Sequence, residues 1–226
     1  MDMVNKINLE KEAWNLKVRV IRLWTIPTFT GQLLPNFMEM ILVDESGCKI
    51  QATVLKTMIY RFKQLLSEGR VYVMKLFTVV PNKGSYRATR HQFKLIFQFR
   101  TTIRAAIYDF IPKSALTISL FTELLETKED SDFLVDVVGL LVSVSEEKEY
   151  DKDGKKMKMT VMELAENNLA FFNFYLFLLL RFFFVFGRVG FQNIMFPSKL
   201  GFNLDIQRWQ LFGKDISVHV VSVVNH

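Results

Sequence analysis

The chemistry open to this chain is limited by how few reactive side chains it contains. It has one cysteine, Cys48, and three histidines, His91, His219 and His226. A single thiol excludes an intramolecular disulfide, and no group of Cys and His residues has the spacing of a zinc site. The sequence also has no Gly-rich phosphate loop and no nucleophile elbow. We therefore expect a protein that is not an enzyme and that holds neither a metal ion nor an organic cofactor.

Basic side chains are concentrated in the first half of the chain. Residues 1–110 hold 17 Lys and Arg against 8 Asp and Glu, whereas residues 111–226 hold 12 against 15. Concentrated positive charge favours a polyanionic partner, and binding to its phosphates is sensitive to salt. Charge alone is equally compatible with a role in solubility. The polar and basic residues that we expect to follow a phosphate backbone are Arg19, Arg22, Lys49, Gln51, Lys56, Lys83, Arg87 and Arg90.

Aromatic residues lie between these charges and could stack on bases. The best placed are Trp24, Phe77 and Tyr86. Trp24 and Tyr86 flank two predicted loops, whereas Phe77 is also compatible with the core.

The segments that carry these residues alternate apolar and polar side chains in the manner of β-strands. Trp14–Val20 alternates regularly and then slips at Arg22, which predicts a long, bent first strand that ends at Pro27. Phe37–Asp44 and Lys49–Val54 predict a hairpin that turns at a glycine. In the third strand, we expect the apolar residues to point inward and the lysine, glutamine and threonine to point outward.

A helix and a second hairpin follow. Thr57 is predicted to cap a helix over Met58–Glu68, which ends before Gly69. Val71–Val80 and Tyr86–Phe99 predict the final hairpin. On its last strand three phenylalanines are predicted to face inward: Phe93, Phe97 and Phe99. The order of strand, strand, strand, helix, strand and strand predicts an all-β OB-fold barrel, a scaffold that often binds single-stranded nucleic acid.

Several sequence blocks in this half resemble a known family. The blocks are Trp14–Trp24, Glu39–Val54, Glu68–Gly69 and Gly84–Thr89. In this order and spacing they resemble the first DNA-binding OB-fold of plant-type paralogues of the replication protein A large subunit. A shorter match, Phe133–Leu164, resembles the opening of the next OB-fold of that family.

The resemblance implies binding of single-stranded DNA in the nucleus, through two stacking aromatic residues and several basic contacts in each OB-fold. It also implies the middle and small subunits of replication protein A as partners. The third OB-fold, through which the family assembles, has no counterpart in this sequence, which argues against that partnership. We expect an OB-fold at residues 1–110, a linker at 111–131 and an incomplete second OB-fold at 132–226.

One apolar segment does not fit this scheme. Leu169–Phe186 contains 8 Phe, with Arg181 among them. It is about the minimum length of a membrane span, although a central Arg costs about 2.5–3.5 kcal/mol on insertion scales. It could instead be a core element, but it lacks a polar face. The third interpretation is an insertion at about 167–203, from a retained intron or a gene-model error, because the next family-like block arrives only at Gln210–Asp215.

The sequence thus predicts a protein that binds single-stranded DNA with little sequence preference, in DNA replication, repair or recombination. The alternatives are an OB-fold that binds proteins, a degenerate paralogue without DNA binding, or a basic domain anchored in a membrane. No residue pattern reports on the 2′-hydroxyl, so RNA stays open as a ligand.

Overall fold

The computed structural model divides the chain into two units, Met1–Ala115 and Leu116–His226. It describes residues 1–27, 35–84, 87–119, 134–144, 146, 148–152, 155–166, 170–177, 190–193, 199–202 and 217–225. The first unit is described almost completely, with side chains, and the second chiefly through its strands.

The first unit is built on one sheet with the strand order β5-β6-β3-β2-β1-β4-β7. Its strands are β1 (Asn15–Pro27), β2 (Pro35–Val43), β3 (Lys49–Leu55), β4 (Val71–Lys75), β5 (Thr78–Pro81), β6 (Phe93–Ile96) and β7 (Thr102–Ala106). β3 pairs with β6 in parallel, and the other neighbours are antiparallel. A 3-10 turn at Val4–Lys6 precedes the sheet, and a second one at Lys56–Met58 leads into the single turn of helix α1 (Ile59–Phe62).

β4 and β5 are two halves of one bent strand. Between them, Leu76 has a φ of 60°, in the left-handed region that residues other than glycine rarely adopt. The buried Thr101 hydroxyl donates to the Leu76 carbonyl oxygen at 3.0 Å. Because β4 pairs with β1 and β7 while β5 pairs with β6 at the opposite edge, this bend carries the chain from one side of the sheet to the other. The predicted strand Val71–Val80 therefore exists, but with a break that the alternation did not reveal.

β1 contains the irregularity that the sequence predicted. Its register with β2 shifts between Val20 and Arg22, and the strand ends at Pro27. Before the shift it pairs with β4, and after the shift it pairs only with β2. The turn before β4 attaches at this point, since the Gly69 N–H donates to the Val20 carbonyl oxygen at 2.7 Å. The bulge thus lets one long strand serve both sides of the barrel.

The core lies inside this curled sheet. The residues predicted to point inward from β3, Ile50, Ala52 and Val54, are fully buried. Phe62 of α1 meets Phe97 edge to face, with ring centroids 5.1 Å apart. The apolar residues of the amino-terminal segment close the same core.

Four predictions for this unit were wrong. The helix ends at Phe62 and not at Glu68, and no side chain, including that of Thr57, caps it. Such a short helix is held by the packing of its buried apolar residues and not by its own propensity. The predicted last strand is a strand only over Phe93–Ile96, because the described residues before it, 87–92, form a loop. As a result Phe99 falls in a turn and is 76% exposed.

The predicted linker begins inside the first unit. Ile111 is buried against Val43 and Val71. Further on, the Thr117 N–H donates to the buried Asp136 carboxylate at 2.9 Å, within the second unit.

The second unit has a sheet of its own with the order β11-β12-β14-β8-β10-β9. Its strands are β8 (Leu134–Val144), β9 (Lys148–Lys152), β10 (Lys155–Glu166), β11 (Ala170–Phe177), β12 (Gly190–Asn193), β13 (Lys199–Phe202) and β14 (Ser217–Asn225). β8 lies in the first part of the shorter match to the family.

Three of these strands come from the predicted insertion. β11 pairs antiparallel with β10 over its whole length, and β12 and β13 pair with β14. The described part of the segment 167–203 therefore belongs to the sheet, and its origin from an intron stays a prediction. Of the apolar run Leu169–Phe186, only residues 170–177 are described. Across the described residues, no helix has the length and apolar character needed to cross a membrane.

Candidate nucleic-acid interface

OB-folds usually bind oligonucleotides on the outer face of their second and third strands and in the adjoining loops. Here β1 pairs with β2 and extends that face. Strand pairing places its residues in rows. Trp24 lies opposite Glu39, which lies opposite Thr53. In the next row, Arg22 lies opposite Ile41, which lies opposite Gln51.

Glu39 puts a carboxylate in the middle of this face. One of its oxygens, Oε2, accepts a hydrogen bond from Gln51 Nε2 at 2.8 Å, and Oε1 accepts one from the Thr53 hydroxyl at 3.3 Å. Burial raises the pKa of Glu39, and the positive charge of Lys94 and the two hydrogen bonds oppose that effect. Sequence reasoning missed this residue because it looked for basic and aromatic side chains. The available signal was an acidic residue at an outward position of an otherwise apolar strand.

Gln51 connects this face to the loop between β5 and β6. Its side chain is only 6% exposed, and its Oε1 accepts a hydrogen bond from the Ala88 N–H at 3.1 Å. The prediction that Gln51 points outward is correct, but the loop covers it. Gln51 is therefore a support for the loop and not a surface contact.

The β5–β6 loop, which is described at residues 82–84 and 87–92, is held together by Asn82. The buried Asn82 side chain donates to the carbonyl oxygens of Thr89 at 3.3 Å and His91 at 3.1 Å. The His91 ring in turn lies 3.1 Å from the Val4 carbonyl oxygen. Hydrogen bonds thus hold the loop together internally and attach it to β3 and to the amino-terminal segment.

Three of the predicted basic residues lie on this loop. Lys83 and Arg90 are exposed, whereas Arg87 is half-buried and its guanidinium donates to the Asn82 carbonyl oxygen at 3.5 Å. The predicted stacking residue Tyr86 lies outside the described residues.

The other predicted basic residues are spread over the strands. Arg22 forms an ion pair with Glu68 at 3.3 Å on the outer face of β1. Lys49 is the first residue of β3 and is half-buried, whereas Lys56 lies in the 3-10 turn just after β3 and is exposed.

Two predicted contacts are incompatible with their burial. Arg19 is 7% exposed and donates to the carbonyl oxygens of Gly69 at 2.6 Å and Ile111 at 2.9 Å. It ties together segments of the chain and cannot also reach a phosphate. Phe77 is 4% exposed and belongs to the core cluster, so its ring cannot stack on a base. Trp24 is 9% exposed, which leaves little of its ring for stacking.

Among the described residues, no three His, Cys, Asp or Glu side chains gather as metal ligands would.

Comparison with known proteins places the fold in a family. Residues 5–127, more than half of the chain, match the family described as "Domain of unknown function DUF223". The chain belongs to the DUF223 family. This DUF223 protein is 27% identical over 140 residues to "Replication factor A protein 1" of Schizosaccharomyces pombe (strain 972 / ATCC 24843). That match covers 59% of this chain and 22% of the yeast protein, so the chain spans less than a quarter of the length of the curated relative it matches.

A solved structure shows the same fold. The structure is entitled "Structure and Conformational Change of a Replication Protein A Heterotrimer Bound to ssDNA", and it matches with a TM-score of 0.54 and 20% identity. The match covers 78% of this chain and 41% of that chain. The predicted all-β OB-fold and the predicted resemblance to the replication protein A large subunit are therefore confirmed.

Proposed function

We propose that the first unit of this DUF223 protein binds single-stranded DNA with little sequence preference, in a role like that of replication protein A. The observation that carries the proposal is the β5–β6 loop, which presents Lys83, Arg87 and Arg90 from a fixed backbone beside the outer face of the barrel. Basic side chains on a fixed loop bind phosphates at a reduced entropic cost.

The chemistry of these groups fits a binding protein and not an enzyme. Contacts from Lys and Arg to phosphates position a nucleic acid but carry no sequence information. The similarity to proteins titled as replication factor A and as a heterotrimer bound to single-stranded DNA supports the same proposal. The proposal includes a role in nuclear DNA replication, repair or recombination. It also includes partners like the other replication protein A subunits.

The test is a titration of the full chain with fluorescently labelled oligothymidylate over a series of salt concentrations. We expect the logarithm of the binding constant to fall linearly with the logarithm of the salt concentration. The slope should be about −0.7 for each phosphate neutralised. A duplex and an oligouridylate of equal length serve as comparisons for strand state and sugar. Absence of binding at low salt, or binding without salt dependence, would refute the proposal.

Protein interaction is the second candidate, favoured by an exposed aromatic surface on the same unit. Tyr60 is 74% exposed and Phe99 is 76% exposed, with the Arg61 guanidinium 5.2 Å from the centre of the Phe99 ring. Aromatic residues and Arg are enriched in protein interfaces. If oligonucleotides do not bind, this surface becomes the site to test.

A further inference from the structure

A chain of two hydrogen bonds links β2 to the basic loop. Glu39 accepts from Gln51 Nε2 at 2.8 Å, and Gln51 Oε1 accepts from the Ala88 N–H at 3.1 Å. A carboxylate can only accept and a backbone N–H can only donate, so together they fix the orientation of the Gln51 amide. Without the carboxylate, Gln51 Nε2 would lose the acceptor at 2.8 Å that holds its amide from the sheet side, and only the Ala88 N–H would still orient the side chain.

The links of this chain are removed from water. Gln51 is 6% exposed and Ala88 is 9% exposed. Hydrogen bonds in such surroundings are stronger than in water, and losing one partner leaves a buried polar group unsatisfied. The contact between Gln51 and Ala88 is therefore a firm attachment for the loop.

The position of the Glu39 carboxylate is unfavourable for a negative charge. It is partly desolvated, on the face expected to meet a polyanion, where a negative charge repels phosphate. Side chains that cost stability or affinity in this way concentrate at functional sites. A role in positioning the loop would explain why the Glu39 carboxylate lies on this face.

We propose that Glu39 is a positioning residue for nucleic-acid binding: acting through Gln51, it holds the β5–β6 loop so that Arg87 and Arg90 are presented to the phosphate backbone. The inference rests on the proposed function of this unit. Asn82 sets the internal shape of the loop, and the chain from Glu39 sets its position against the sheet.

Three variants of the full chain test the inference, with the salt dependence of oligothymidylate binding as the measurement. Glu39→Leu removes the acceptor, and the log-log slope should become shallower by about 0.7 for each phosphate contact that the loop loses. Glu39→Gln retains an oxygen that accepts from Gln51, so its slope should match the wild type. Thr53→Val removes the other hydrogen bond to Glu39 but keeps the bond between Gln51 and Ala88, so it should also leave the slope unchanged.

The slope separates positioning from simple destabilisation. A variant that merely folds less well lowers the fraction of active protein but keeps the number of phosphate contacts, and therefore the slope. If Glu39→Leu does not fold, Gln51→Leu breaks the same chain and is expected to give the same shallow slope. In a Glu39→Leu background, replacing Arg87 and Arg90 by Gln should flatten the slope no further.

The outcomes also separate this inference from the proposed function. If the wild-type chain does not bind or shows no salt dependence, the proposed function fails first. If the wild type binds with a steep slope that Glu39→Leu retains, the positioning role is overturned and the proposed function stands. The positioning role is also overturned if Glu39→Gln flattens the slope as much as Glu39→Leu.

Discussion

The guanidinium of Arg19 donates to the carbonyl oxygen of Ile111, with Nη2 at 2.9 Å and Nε at 3.2 Å. This contact joins the first strand of the barrel to the segment that follows its last strand. It explains why the first unit continues to Ala115, beyond the boundary expected from the sequence.

Replacing Arg19 by Met should lower the free energy of unfolding by about 1–3 kcal/mol, because hydrogen bonds from a charged donor to the carbonyl oxygens of Ile111 and Gly69 are lost while the apolar stem is kept. Chemical denaturation of the full chain measures the change. Arg104→Met, at an exposed position of β7, is the matched control. The salt slope of DNA binding should not change in Arg19→Met, and a shallower slope would restore the sequence-based prediction that Arg19 contacts phosphate.

Replacing Glu39 by Gln should raise the melting temperature at neutral pH. Burial raises the pKa of Glu39 above its ordinary value of 4.5, so the folded state holds the proton more firmly than the unfolded state. The protonated Glu39 therefore contributes to the free energy of unfolding of the wild type at pH values below its ordinary pKa. That contribution is lost as the pH rises through the pKa of Glu39 in the folded state. The advantage of the variant should shrink toward about pH 4, where the wild-type carboxyl group is protonated as well. An advantage that does not vary with pH would contradict this account.

The stability of the bend between β4 and β5 should depend on how readily the residue at position 76 adopts a positive φ. Leu76→Gly removes the steric cost of a positive φ but adds freedom to the unfolded chain, so we expect a change within about 1 kcal/mol. Leu76→Val places a β-branched residue at the same φ and should destabilise the protein by about 1–3 kcal/mol. Equal effects of the two substitutions, measured by thermal denaturation, would show that the bend is not set by this residue.

The alternation of side chains predicted β1, β2 and β3 because each of these strands has one face in the core. It also located the bulge near Arg22, where a polar residue breaks the pattern. Alternation states which side of a strand a residue occupies, but not whether another segment covers that side. Arg19 and Gln51 both lie on the outer side and are both buried, by residues distant in sequence.

The later elements were harder to predict for a different reason. Nothing in the residue types marks the left-handed conformation of Leu76. The strand predicted to begin at Tyr86 begins only at Phe93, and the described residues 87–92 form a loop. Its real conformation depends on the bonds of Asn82 to Thr89 and His91, which pattern alone does not show. For the same reason the support that Gln51 gives to this loop could not be predicted.

Tyr86 remains the predicted stacking residue of this unit. Replacing it by Ala should weaken binding of single strands by about 1–3 kcal/mol if its ring stacks on a base. The salt slope should stay nearly unchanged, because stacking releases no counterions. Tyr86→Phe keeps the ring and should bind like the wild type. Wild-type affinity in Tyr86→Ala would exclude the stacking role.

Replacing Lys83 and Arg90 together by Gln should flatten the salt dependence of binding. Both side chains are exposed on the β5–β6 loop, so the substitutions remove charge with little effect on folding. If each contacts one phosphate, the log-log slope should become shallower by about 0.7 for each residue. The matched control replaces Lys75 and Arg100, which are exposed at the end of β4 and in the turn before β7. It removes the same net charge away from the loop, so a general loss of charge would affect both double variants alike. An equal loss of slope in the two variants would show that the loop has no special role and that the whole basic surface attracts the nucleic acid.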